Sequence, residues 1–170
     1  MKILSPAKIN LFLQVTGKRA DGYHELFTLM CCVDLFDTIF LQFGLKNIRI
    51  ESSHPQIPLD DTNLAHRAAA VFFQALNVND GVKIIIDKSI PVAAGLGGGS
   101  SNAASVLKGL NQHYGPPFSR NQLMSMGLGL GADVPFFLFG KPALASGIGE
   151  KLEAYPGPLP FHIVVVYPGF

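Results

Sequence analysis

Residues 87–102 have the sequence DKSIPVAAGLGGGSSN, in which glycines at position 95 and positions 97–99 come directly before two serines. The segment that leads into this stretch, Val82–Asp87, consists mostly of β-branched residues and predicts a strand. Ser100–Gln112 have apolar side chains at helical spacing and predict a helix. Glycines leave backbone N–H groups able to surround one anion, and a helix N-terminus adds the positive end of its dipole. The segment therefore predicts a cradle for phosphate groups.

Other interpretations of this segment compete with the phosphate cradle. The simplest is a flexible glycine turn capped by serine, and the strand–loop–helix context disfavours it. A Walker A loop is excluded because no Lys-Ser or Lys-Thr follows the glycines. A dinucleotide-binding fingerprint would need glycine where Ser100 stands. In the cradle interpretation, Ser100 and Ser101 add hydroxyl donors that could also bind a magnesium ion.

The first predicted strand carries a lysine and an asparagine on one face. Residues Ala7–Val15 alternate with period two, so that Lys8, Asn10 and Phe12 project to the same side. A solvated strand face is the simpler explanation for a lone lysine. The phenylalanine on the same face and Pro6 just before the strand favour a partly covered surface instead.

A single acid lies in the apolar segment GADVPFF, residues 131–137. Asp133 stands at a predicted helix start, where an acid stabilises the helix by about 0.5–2 kcal/mol without any chemical role. A helix cap is therefore the alternative to a catalytic interpretation of this residue.

The remaining pattern mixes strands and helices, with strands dominating the first third of the chain. We predict an α+β fold with two layers, a helix capped by Asp61-Thr62, and a loop from Gly17 to Gly22. Further strands are predicted at Leu26–Val33, Thr38–Phe43, Ile48–Glu51 and Phe161–Tyr167, a hairpin at Ala143–Ser146 and Lys151–Ala154, and helices at Asn63–Leu76, Ser119–Gly127 and Gly131–Leu138.

Composition narrows the class of protein. The chain has 170 residues, of which 48% are hydrophobic and 15% charged, enough for one domain with a core. A formal net charge of +1 gives no electrostatic reason to expect nucleic acid or an anionic membrane as partner. No apolar run is long enough to span a bilayer. The only cysteines, Cys31 and Cys32, are adjacent, which favours packing roles and a reducing cytoplasm.

Three segments together resemble the GHMP kinase family, whose members bind ATP without a Walker motif. PVAAGLGGGSS, residues 91–101, is similar to the family's phosphate loop, and residues 131–137 are similar to its aspartate motif. SPAKINL, residues 5–11, is similar to the opening of the branch that phosphorylates a cytidine diphosphate derivative of methylerythritol. The resemblance implies the GHMP N-terminal domain fold, which is related to ribosomal protein S5 domain 2.

The resemblance also implies roles for individual residues. Asp133 would take the proton of the attacking hydroxyl, and Lys8 would stabilise the charge that develops on the transferred phosphoryl group. The residues matched to ATP binding, with Mg²⁺, are Asn63, Lys88, Pro91, Gly95, Leu96, Gly97, Gly98, Gly99, Ser100 and Ser101. The residues matched to substrate binding are Asn10, Tyr23 and His24, of which Tyr23 would stack on cytosine and His24 would read its polar edge.

The implied reaction is ATP-dependent phosphorylation of the 2-hydroxyl of 4-diphosphocytidyl-2-C-methyl-D-erythritol, in non-mevalonate isoprenoid synthesis. We expect residues 1–170 to form one GHMP N-terminal domain, with the family's C-terminal domain absent from this sequence. We therefore expect the chain alone to be inactive and to self-associate. The alternatives are another GHMP kinase, acting on homoserine or mevalonate, and a non-catalytic nucleotide-binding or oligomerising module.

Overall fold

A computed structural model describes residues 1–18, 20, 22, 24–157, 159 and 162–168. The strands are β1 (Lys2–Lys18), β2 (His24–Leu45), β3 (Arg49–Ser52), β4 (Gly81–Asp87), β5 (Ala143–Gly147) and β6 (Lys151–Ala154). The helices are α1 (Leu64–Leu76), α2 (Gly98–His113), α3 (Arg120–Leu128) and α4 (Val134–Phe139).

The long strand β2 organises the sheet. It pairs antiparallel with β1 along most of its length, while its C-terminal half, from Thr38, pairs with β4. Its N-terminal half, Leu26–Met30, pairs with β5, which pairs in turn with β6. Only β3 lies parallel to its neighbour, β4. This mixed sheet with helices confirms the predicted α+β class.

The core lies between the sheet and the helices. Alternate residues of the central strands, such as Ile39, Leu41, Ile84 and Ile86, are buried because successive strand side chains point to opposite faces. The predicted inward stripe of the second helix is also buried, which confirms its orientation. Its buried members are Ala103, Val106, Leu107 and Leu110.

Several predicted elements are confirmed and others need correction. The helix capped by Ser119 is confirmed, with Ser119 and Gln122 forming a reciprocal capping box. The cap of α1 is Asn63, whose side chain accepts a hydrogen bond from the Ala65 N–H group, so the predicted Asp61-Thr62 cap is wrong. The two strands predicted between residues 26 and 43 are one continuous strand.

The strand predicted at Phe161–Tyr167 is wrong for the residues that the structure describes there. Residues 162–167 have no strand conformation, and Val164 and Val166 are 86% and 81% exposed. Their alternating β-branched pattern favours a strand, but a strand also needs a neighbouring edge with which to exchange hydrogen bonds. No helix among the described residues is long and apolar enough to cross a membrane.

Candidate active site

A cavity of about 430 Å³ opens at the N-terminus of α2, over the glycine-rich loop. The loop supplies most of its wall, and α1 and α4 supply single polar residues at their N-terminal ends. Lining residues that the sequence analysis singled out are Asn63, Lys88, Pro91, Gly95, Leu96, Gly97, Gly98, Gly99, Ser100 and Asp133. The structure therefore brings one predicted catalytic residue to the predicted phosphate loop.

The backbone of the loop is shaped for an anion. The first hydrogen bond of α2 runs from the Ser101 N–H group to the Gly97 carbonyl at 2.8 Å, so the three preceding N–H groups have no helical acceptor. Gly97 has φ +70°, and a Cβ there would lie 2.9 Å from the Phe137 ring. A Cβ at Gly98 would lie 2.9 Å from the Lys88 ammonium nitrogen. Side chains are thus excluded where the helix N-terminus faces the cavity.

Lys8 joins the first strand to both the loop and the predicted base. Its backbone N–H group donates to the Leu96 carbonyl at 2.9 Å. Its ammonium group donates to Asn10 Oδ1 at 2.7 Å and lies 3.6 Å from Asp133 Oδ2. The Lys8 side chain is 9% exposed and that of Asp133 is 39% exposed. A nearly buried cation therefore lies beside a carboxylate that solvent and ligands can reach.

The helix-cap interpretation of Asp133 receives no support from the geometry. Asp133 occupies the N-cap position of α4, but its side chain makes no capping hydrogen bond. The carboxylate is directed to Lys8 instead.

Asn10 is itself held in place by a neighbouring strand. Its Nδ2 atom donates to Thr28 Oγ1 at 2.8 Å, and that hydroxyl donates to the Phe12 carbonyl at 2.5 Å. These bonds fix the side-chain amide with its oxygen toward the Lys8 ammonium group. Asn10 thus orients Lys8, whatever further contact it makes with substrate.

A buried ion pair lies beneath the loop. Lys88 Nζ is 2.8 and 3.1 Å from the two carboxylate oxygens of Asp37 and donates to the Ile90 carbonyl at 2.5 Å. Asp37 also accepts hydrogen bonds at 2.8 Å from the N–H groups of Ser89 and Ile90. The Asp37 side chain is 0% exposed and that of Lys88 4% exposed. Lys88 lines the cavity, but its ammonium group is already committed to these partners.

Sequence reasoning missed Asp37. The signal available was an acid next to Phe36, in the short segment interpreted as the gap between two predicted strands. An acid in such a position is buried only when it is paired, and its partner lies 51 residues away in the sequence.

The two serines that follow the glycines have different environments. Ser100 lines the cavity, whereas Ser101 is fully buried and its hydroxyl lies 2.8 Å from Ser5 Oγ. Of the two hydroxyls predicted to serve phosphate or magnesium, only that of Ser100 borders the cavity. Among the described residues, no group of three or more His, Cys, Asp or Glu side chains could hold a metal ion.

Of the predicted substrate-binding residues, Asn10 lies beside Lys8, and His24 lies at the far end of the β1–β2 ribbon. His24 begins β2, pairs with Lys18 across the ribbon and is exposed. Tyr23 lies outside the described residues. At the other side of the cavity, Asn63 lines the wall while its amide donates to the Pro58 carbonyl at 2.7 Å.

The cysteines are poorly suited to nucleophilic chemistry. Burial raises the pKa of Cys31, and loss of hydration raises the pKa of the Cys32 thiol to about 11, partly offset by the nearby Lys108 charge. Both thiols stay protonated at neutral pH, and the thiolate is the reactive form. The burial of Cys31 agrees with the packing role predicted for it, whereas Cys32 is exposed and does not confirm that role.

Comparisons with known proteins bear on this geometry. Residues 63–141 match the family described as the N-terminal domain of GHMP kinases. The chain is 52% identical over 167 residues to a 4-diphosphocytidyl-2-C-methyl-D-erythritol kinase of Syntrophotalea carbinolica, with 98% of this chain and 60% of the relative covered. It is 44% identical over 170 residues to the kinase of that name from Clostridium tetani, covering 100% of this chain and 61% of the relative.

A solved structure is also similar. The crystal structure of a 4-(cytidine 5'-diphospho)-2C-methyl-D-erythritol kinase superposes with a TM-score of 0.80 at 41% identity, covering 93% of this chain and 56% of that protein. The chain therefore spans about 60% of the length of the curated relatives it matches.

Proposed function

We propose that this chain is the N-terminal domain of a GHMP kinase and binds ATP for the phosphorylation of 4-diphosphocytidyl-2-C-methyl-D-erythritol. The observation that carries the proposal is the Lys8–Asp133 pair, 3.6 Å apart, beside the glycine-rich loop. The names of the relatives support this choice of substrate, and the resemblance to the family implies its 2-hydroxyl as the acceptor. The reaction belongs to isoprenoid precursor synthesis, and we expect it in the cytoplasm.

The proposed reaction forms a bond from the substrate hydroxyl oxygen to the γ-phosphorus and breaks the bond to the bridging oxygen of ADP. Asp133 accepts the hydroxyl proton as the new bond forms. Lys8 stabilises the negative charge on the transferring group from its nearly buried position. The unpaired N–H groups at the start of α2 bind phosphate oxygens. Since an aspartate is a weak base, positioning and electrostatics supply most of the acceleration.

Magnesium fits the same cavity through hard oxygen ligands. The Ser100 hydroxyl and the Asp133 carboxylate both line it, and Mg²⁺ usually binds one or two protein oxygens together with substrate phosphates. When bound, the ion would neutralise charge on the β- and γ-phosphates. Gly98, Gly99 and Ser100 hold those phosphates through their backbone, whether or not a protein side chain binds the ion.

We propose that residues at the end of the β1–β2 ribbon select the substrate by binding its cytosine. His24 carries both a donor and an acceptor and would read the polar edge of cytosine. Tyr23, next to it in the sequence, would stack on the base, which contributes about 1–3 kcal/mol. The opening SPAKINL, residues 5–11, and this Tyr-His pair disfavour homoserine or mevalonate as the acceptor.

Two experiments test the proposal. Titration of the chain with Mg-ATP should shift the amide resonances of Gly97–Ser101, and no movement at millimolar nucleotide would contradict the phosphate cradle. A turnover assay with the cytidine substrate should compare this chain with one extended to the length of its relatives. We expect turnover from the extended chain and negligible turnover from this one. If the extended chain bound ATP but phosphorylated mevalonate instead, the proposed substrate would be wrong and the proposed kinase activity would stand.

Self-association is a second candidate property of the isolated chain. The exposed apolar side chains of Val164 and Val166 favour it, because large apolar patches seldom stay bare on a monomer. Light scattering across a concentration series should show a mass that rises above that of the monomer. A constant monomer mass would contradict this expectation and leave the kinase proposal intact.

A further inference from the structure

One buried amide group beside the cavity has an unused donor. Asn102, in the second turn of α2, is 3% exposed and lines the cavity. Its Oδ1 atom lies 2.9 Å from Ser5 Oγ. Within the part of the chain that the structure describes, Asn102 Nδ2 donates no hydrogen bond, and it is not among the fully buried polar atoms that lack a partner. The donor therefore reaches the cavity, where a ligand can accept a hydrogen bond from it.

The structure places the oxygen of the Asn102 amide, and not its nitrogen, against Ser5. Ser5 Oγ is close to two acceptors, Asn102 Oδ1 at 2.9 Å and Ser101 Oγ at 2.8 Å, and it has one proton. A carbonyl oxygen cannot donate, so Ser5 donates to Asn102 and accepts from the Ser101 hydroxyl. The side-chain oxygen of Asn102 is thereby anchored. The Nδ2 group is the end that remains for a ligand.

The position of Asn102 on the helix indicates that the ligand group is an anion. Side chains on a helix lean toward its N-terminus, so Asn102 reaches back toward the turn of Gly98, Gly99 and Ser100. The backbone N–H groups of that turn lack helical acceptors and face the same cavity. An N–H₂ group beside several N–H donors adds one more donor to an anion site.

We propose that the Asn102 side-chain amide donates a hydrogen bond to a phosphate oxygen of the bound nucleotide. This assignment rests on the nucleotide binding proposed above and names one residue that makes it selective for phosphate. Asn102 would increase the affinity for the nucleotide by contacting the phosphate directly. The buried bond to Ser5 holds the amide in the orientation that the contact needs.

The test compares ADP with adenosine, which lacks every phosphate, by calorimetric titration of the chain. Asn102→Asp keeps an oxygen for Ser5 and replaces the donor by a charged oxygen facing the phosphates. We expect ADP to bind at least about 10- to 100-fold more weakly, since a hydrogen bond to a charged group is lost and repulsion is added. Adenosine should bind as it does to the unchanged chain. Asn102→Ala, which adds no charge, should weaken ADP binding by about 10-fold.

Asn111→Asp is the matched control for a loss of stability. Asn111 lies on the same helix and is buried, but its amide bonds both backbone groups of Phe118, away from the cavity. Its replacement should lower the melting temperature and leave the ratio of ADP to adenosine affinity unchanged.

Each outcome decides something different. If both Asn102 variants bind ADP as well as the unchanged chain does, the assignment is wrong and nucleotide binding stands. If they lose ADP and adenosine equally, Asn102 supports the fold of the cavity and the assignment is also wrong. If the unchanged chain binds neither ligand, the proposed function fails and this inference fails with it.

Discussion

The two ends of the candidate site are built differently. The floor beneath the glycine-rich loop consists of two groups of buried polar side chains, Ser5 bonded to Ser101 and Asn102, and Asp37 paired with Lys88. The outer part of the β1–β2 ribbon instead carries exposed apolar side chains, namely Phe12, Leu13, Val15 and Phe27. The loop is thus preorganised by contacts within this chain. The ribbon has a surface that this chain leaves uncovered, which predicts that nucleotide binding is local to this chain and that substrate binding depends on more.

The largest expected effect separates chemistry from binding. In a chain extended to the length of its relatives, Asp133→Asn keeps the shape but removes the proton acceptor. We expect kcat to fall by about 100- to 10,000-fold, with a much smaller change in KM. Steady-state kinetics with the cytidine substrate measure both constants.

Glu51→Gln provides the control for Asp133→Asn. Glu51 also pairs with a lysine, Lys83 at 2.8 Å, but it does not line the cavity. This variant should retain kcat. If Asp133→Asn retained kcat as well and lost thermal stability instead, the helix-cap role would be the correct one.

The next effect tests whether the floor holds the loop. Asp37→Ala leaves the Lys88 ammonium group buried without its partner, and such losses destabilise proteins by about 3–5 kcal/mol. Chemical denaturation should show this decrease in the free energy of unfolding, whereas Glu51→Ala in the exposed pair should cost about 0–1 kcal/mol. If the two variants lowered the free energy of unfolding equally, the buried pair beneath the loop would stabilise the protein no more than the surface pair does.

Sequence reasoning succeeded where the signal was local. The loop and the helix after it are consecutive in the chain, so glycines and apolar spacing were enough to predict α2 and its buried face, and the binding of phosphate there stays a prediction. The contact between Lys8 and Asp133 joins residues far apart in the chain, and only resemblance to a family suggested it. Asp37 was missed because the pairing of β2 with β4 brings it to Lys88. The strand predicted at 161–167 failed because side-chain pattern alone cannot supply a neighbouring strand.

A smaller effect tests the close approach of the helix N-terminus to the floor. A Cβ at Gly98 would lie 2.9 Å from Lys88 Nζ, whereas a Cβ at Gly99 would find Leu64 at an ordinary 3.7 Å. Gly98→Ala should therefore shift the loop, at an overpacking cost of about 1–3 kcal/mol, and so weaken ATP binding. Gly99→Ala should bind ATP nearly as the unchanged chain does. Calorimetric titration of both variants measures the difference, and similar affinities would mean that the loop adapts.

The smallest expected effect comes from a substitution in the ribbon, which should leave ATP binding at the loop unchanged. His24 is exposed, so His24→Ala should change the free energy of unfolding by less than about 0.5 kcal/mol. ATP affinity should also stay unchanged, because no buried floor residue depends on it. In the extended chain, KM for the cytidine substrate should rise by up to about 10-fold through loss of one hydrogen bond. Gln14→Ala, on an exposed residue of the same ribbon, is the control and should leave KM unchanged. A fall in ATP affinity on His24→Ala would show that the two ends are coupled, since Asn10 and Lys8 connect the ribbon to the loop.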